Sequence, residues 1–145
     1  MVLILVALVI MVGLTVDLGN EYVTHLRMRN AVDMATLSMR SRFPFENTEE
    51  NKETERGIIS DVVYRNGIRG TKYTLSIEWQ VTDDGESVYG AKIYLERIMH
   101  AYFSAFYKKA DSLLKVGNLI TVTENESGSY EHNGVHYDVV IVDLT

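Results

Sequence analysis

The sequence predicts an α+β fold: a long N-terminal helix, first apolar and then amphipathic, leads into a small domain of helices on an antiparallel four-stranded sheet. Three observations predict it. The first sixteen residues, MVLILVALVIMVGLTV, carry no charge and only Gly13 and Thr15 outside the apolar set. Apolar and small residues then recur at helical spacing as far as Met39, with no proline before Pro44. Beyond Pro44, stretches that alternate apolar and polar residues are set off by turn-forming segments.

At 145 residues the chain holds one core and an appendage. The net charge of −6, with no clustered basic face, argues against a nucleic-acid surface. The absence of cysteine excludes disulfides, thiolate catalysis and cysteine metal sites.

The apolar run is a membrane or assembly segment. It falls just below the roughly 20 residues of a helical span, with Asp17 and Asn20 at headgroup depth, so a short or tilted span fits it. A secretory signal would add a basic start and a small-x-small cleavage site, and neither is present. Residues 18–42 contain no proline, and Gly19 is their one weak helix former of its kind, so the helix runs on to about Ser41. Gly19 and Asn20 are its expected points of bending. Pro44 stops it, because it disfavours helical geometry at Phe43 and donates no backbone bond. The chain therefore divides into a helical part, 1–42 (apolar 1–16, amphipathic 17–42), and a globular part, 43–145.

On that helix Met28, Ala31, Val32, Ala35 and Met39 form one stripe, suited to packing on the chain's own sheet. Tyr22, Val23, Leu26, Met34 and Leu37 lie off it. A helix apolar on more than one side meets other molecules, so lateral contacts with neighbouring copies are expected. The assembly residues are Met1, Val2, Leu3, Ile4, Leu5, Leu8, Val9 and Val12 in the apolar run, then Asp17, Tyr22 and Leu26. Asp17 marks where the helix leaves the apolar layer; an ion pair to Arg27 or Arg29 of a neighbouring copy is its other reading.

In the globular part ENTEENKETER is charge-rich and its acids read as a solvated face. Ile58, Ile59, Val62 and Val63 predict a helix over 49–65, with Gly67 just past its end. TKYTLSIEWQV alternates, placing Tyr73, Leu75, Ile77, Trp79 and Val81 on one face of a strand. A turn over 83–86 returns it as SVYGAKIYLE, whose inner face is Tyr89, Ala91, Ile93 and Leu95. Met99, Tyr102, Phe103, Phe106, Ala110, Leu113 and Leu114 fall at helical spacing and Gly117-Asn118 closes the pattern, which predicts a further helix. Its aromatic cluster, with Tyr107, reads as core, a ligand platform being the alternative. LITVTEN and VHYDVVIVDLT complete the sheet, joined through a hairpin with its tip at Asn133-Gly134.

The sequence V16-D17-L18-G19, followed by Asn30, Ala31, Val32, Asp33, Met34, Ala35, Thr36 and Leu37, all behind an apolar helix, resembles the N-terminal segment of the TadE/TadG-like proteins of tight-adherence (Flp-type) pili. Those read as an apolar helix, then VDLG, then a QNAADAAALA-like stretch. The resemblance covers residues 1 to 42. It implies a type IV pilin-like subunit with a pilin-like lollipop shape, inserted in the membrane before assembly and cleaved ahead of its apolar helix by a prepilin peptidase. With the pilus assembly machinery it would join copies of itself in a helical homopolymer at the cell surface. The departure is Leu5, where many pilins place a glutamate that engages a neighbour's N-terminal amine. A minor pseudopilin or a single-pass accessory module is the alternative that this favours.

No nucleophile elbow, G-x-G-x-x-G, P-loop or H-E-x-x-H occurs, so neither enzyme activity nor a cofactor is expected. The nearest approaches to a metal site are His132 and His136 with Glu131 and Asp138, and Asp83, Asp84 and Glu86; both read first as turn residues. Asn125-Glu126-Ser127 is the sole N-x-S sequon.

Overall fold

The computed structural model describes residues 1–103 and 111–145. A single helix, α1 (Val2–Met39), runs through Gly19 and Asn20 without interruption, about 57 Å at 1.5 Å per residue. It ends two residues short of Ser41 because its last turn tightens: the Arg40 and Arg42 amides donate to Leu37 and Met39, three residues back. The predicted stripe is the buried one, with Met28, Ala31, Ala35 and Met39 fully covered. Alanine at 31 and 35 brings the backbone close to the sheet, and Met28 and Met39 fill the space at either end.

After α1, Phe43 enters the core and stacks on Phe45 at 5.6 Å, while Phe45 meets Trp79 edge-on at the same distance. Phe45–Glu46 form a short strand, β1. The second helix, α2 (Glu49–Arg65), has the predicted bounds and a physical reason for each. The Thr48 hydroxyl accepts from the Asn51 amide at 3.2 Å, and Glu49 and Glu50 occupy the positive end of the helix. At the other end Gly67 takes φ +87°, which lets its amide reach Tyr64 and that of Ile68 reach Val63.

The strands are β2 (Tyr73–Val81), β3 (Ser87–His100), β4 (Asp111–Glu124), β5 (Tyr130–His132) and β6 (Val135–Asp143). They make one antiparallel sheet of six strands rather than four, ordered β1-β3-β4-β6-β5 with β2 also paired to β3. Asn133 and Gly134, at φ 52° and 80°, form the predicted tip. That tip joins β5 to β6, and β6 in turn pairs with β4 from Asn118–Asp143 to Glu124–Tyr137.

Two sequence expectations are corrected. Where a helix is expected around Met99–Leu114, the described residues Met99, His100 and Asp111–Leu114 instead belong to β3 and β4, whose ladder runs from Gly90–Thr121 to His100–Asp111. Helical spacing there is a coincidence of composition, overridden by eleven cross-strand pairs. Ile98 and Leu113 fall on the outer face, Gly117 and Asn118 lie inside β4, and Phe106, Tyr107 and Ala110 lie outside the described residues. On β3, Val88 rather than Tyr89 completes the inner face beside Ala91, Ile93 and Leu95. The register shifts between Gln80–Gly90 and Val81–Val88, so Tyr89 is the extra residue of a β-bulge.

The inner face carries α1 and α2. The outer face is set with Glu78–Lys92 and Glu96–Lys115 ion pairs, with Lys115 also over the Tyr94 ring, and is built for water.

Candidate functional site: the N-terminal helix and its tethers

By length and composition α1 is long and apolar enough to cross a membrane, and its apolar window is only 6% buried within the chain. Met1, Val2, Leu3, Ile4, Leu5, Leu8, Val9 and Val12 all stand exposed along its first three turns and beyond. Thr15, the polar side chain of the run, returns its hydroxyl to the Met11 carbonyl at 2.8 Å and so needs no water. Tyr22 and Leu26, further along, are exposed. A surface of this size and character requires a partner, since apolar area left in water costs free energy in proportion to its extent.

Asp17 is engaged within the chain. Its carboxylate accepts from the amides of Tyr102 and Phe103 at 3.1 and 2.9 Å. One turn earlier Gly13 is buried, and a Cβ there would stand 2.7 Å from the Cβ of Phe103. Tyr102 and Phe103, just past β3, are thus held against the apolar run.

Four more polar tethers bind α1 and the residues just after it to the head. The Asn118 amide, buried in β4, donates to Asp33 at 2.8 Å. Arg29 pairs with Asp143 at the end of β6; the Thr145 hydroxyl and amide, with Arg29 and His25 adding attraction, hold the Asp143 carboxyl below the ordinary carboxylate range. Arg42 pairs with Glu55 on α2 at 3.0 Å. Glu55 is almost fully buried, so it departs from the solvated face expected of its segment. The Tyr130 hydroxyl donates to the Ser41 carbonyl at 2.6 Å, closing β5 against the helix end. Sequence reasoning missed Glu55, Asn118 and Asp143; a polar residue at an inward position of a strand was the available signal for Asn118.

Three of the candidate metal residues, Asp84, His132 and Asp138, make local hydrogen bonds. Asp84 accepts from the Thr82 hydroxyl and the Glu86 amide, which lowers its pKa and shapes the β2–β3 turn. His132 Nδ1 faces the Tyr130 hydroxyl at 3.1 Å, and Asp138 accepts from the Asn125 side-chain amide. Among the described residues no three His, Cys, Asp or Glu side chains gather closely enough to hold a metal ion.

No curated protein and no solved structure matches the chain. The N-terminal segment does have a match, and it supports a role in Flp pilus biogenesis and a membrane-anchored or surface-pilus location. Residues 1–41, the length of α1 with its VDLG and small-residue stretches, match the family model of putative Flp pilus-assembly TadE/G-like proteins, as the sequence resemblance anticipated.

Proposed function

We propose that the chain is a structural subunit of a Tad/Flp-type, type IV pilus-like filament and polymerises through the apolar half of α1. The observation that supports this most directly is the set of apolar side chains on residues 2–16, exposed along a helix whose buried residues, among those described, are Gly13 and then Thr24 onward. Before assembly that half lies in a membrane; afterwards copies of the same helix replace the lipid. Burying about a dozen such side chains at ~100 Å² each and ~25 cal/mol per Å² yields on the order of 30 kcal/mol before entropic costs, ample for a filament without covalent links. A prepilin peptidase and the pilus assembly machinery are the partners this role needs, and no catalytic step belongs to the chain itself.

Electron microscopy of sheared cell-surface material, with mass spectrometry of the same fraction, tests the proposal. Filaments in which this chain is a main component support it. A chain confined to the membrane fraction supports the second reading, a minor or anchored accessory module, which the apolar Leu5 favours because no acid lies in the run to pair with a neighbour's amine.

A further inference from the structure

Past the Tyr73–Arg97 pair β2 has ended, and β3 and β4 run on as a two-stranded ribbon to His100–Asp111. Such a ribbon is marginal alone, and here it lies along α1. The segment that follows β3 is docked twice: by the Tyr102 and Phe103 amides on Asp17, and by the Phe103 side chain over Gly13. Gly13 is one helical turn, about 6 Å, further into the uncharged run than Asp17. Tyr102, held at Asp17 by its backbone, and Phe103, whose side chain covers Gly13, therefore stand at the level where α1 passes from charged to uncharged sequence. They are nonetheless 70% and 45% exposed.

An aromatic pair pinned at that level is unfavourable in water and favourable at the boundary between headgroups and acyl chains, where rings with one apolar and one polar side collect. The geometry points to Ala101–Phe103 as a second membrane contact, whose partner is the lipid surface that α1 enters. The two contacts together set the depth of α1 and the tilt of the head domain over the bilayer. Asp17 serves the same end: its charge is met by the hairpin amides, so the helix carries a carboxylate at this depth without leaving it to lipid. The inference rests on the reading that the apolar half of α1 lies in a bilayer before assembly.

The chain has no cysteine, so single sites can be labelled in the full-length protein. Val9→Cys, Tyr102→Cys and Ser60→Cys, each carrying an environment-sensitive fluorophore, are placed in phosphatidylcholine–phosphatidylglycerol vesicles and quenched with iodide. The expected result is blue-shifted emission and several-fold slower quenching at position 102 than at position 60, with position 9 the most protected. Phe103→Cys repeats the measurement one residue on. Quenching at 102 as fast as at 60, with position 9 protected, overturns the second contact while leaving the inserted helix intact. Quenching at 9 as fast as at 60 removes the bilayer reading and the inference with it. Protection at 102 that disappears as the protein is diluted in lipid assigns the contact to another copy and also overturns it.

Discussion

Asn118 sits inside β4 with its amide aimed at α1, and its Nδ2 donates to Asp33, beside the buried stripe of that helix. The pair does two jobs that apolar neighbours cannot: it fixes the rotation of α1 about its axis, and it fixes how far α1 slides along the sheet. Asp33→Ala leaves a buried amide without its acceptor, which costs about 1–3 kcal/mol. Denaturant unfolding in mild detergent should show that loss for Asp33→Ala, and Asp33→Ala combined with Asn118→Leu should recover a substantial part of it. A neutral single variant would mean that the alanines and methionines alone hold the helix in place. Gly19 contrasts with these residues, since a Cβ there meets nothing within 4 Å among the described residues.

At the scale of elements, α1 is one rod whose two halves differ: packed sheet along one stripe from Thr24 onward, and before it an exposed apolar stretch long enough to cross a membrane. Continuity is what lets the head domain and the apolar run hold a fixed geometry. Leu26→Pro places a proline in mid-helix, removes its bond to the Tyr22 carbonyl and costs about 3 kcal/mol or more. Circular dichroism should register lost helicity and denaturation a lowered midpoint, and assembly should be lost as well. A folded, assembling variant would refute the single-rod picture. This helix and α2 were legible in the sequence because their signals are local: a period of 3.6, Thr48 before α2, Gly67 after it, Pro44 beyond α1. The β3–β4 hairpin was not, because Met99, Tyr102, Leu113 and Leu114 keep helical spacing while the pairing that decides their structure joins Gly90 to Thr121 across the chain. The same distance hid most of the site. The exposed apolar residues from Val2 to Val12 could be read directly, whereas Asp17–Phe103, Asp33–Asn118 and Arg29–Asp143 join residues 86, 85 and 114 positions apart.

For the whole molecule, the buried core and the exposed apolar surface occupy separate lengths of the chain. Apart from Gly13, every buried residue of α1 lies at Thr24 or later, and the core continues through Phe43, Ile59, Ile93, Leu95 and Ile120. Among the described residues, folding of the head therefore buries nothing of residues 1–16 except Gly13, under Phe103. A chain shortened to residues 21–145 should fold in water as a monomer, retaining a helix of about five turns on its sheet. Sedimentation should find one small species without detergent, and circular dichroism a cooperative transition. The full chain under the same conditions should sediment as large assemblies or require detergent. Loss of Asp17 and Gly13 should leave one local trace in the shortened chain, faster hydrogen exchange at the Tyr102 and Phe103 amides than in the full chain. If the shortened chain instead failed to fold, the apolar run would be part of the folding unit, and the division of labour along α1 would be wrong. If the full chain were a soluble monomer, no partner would be needed for its exposed face, and a filament held by that face would lose its physical basis.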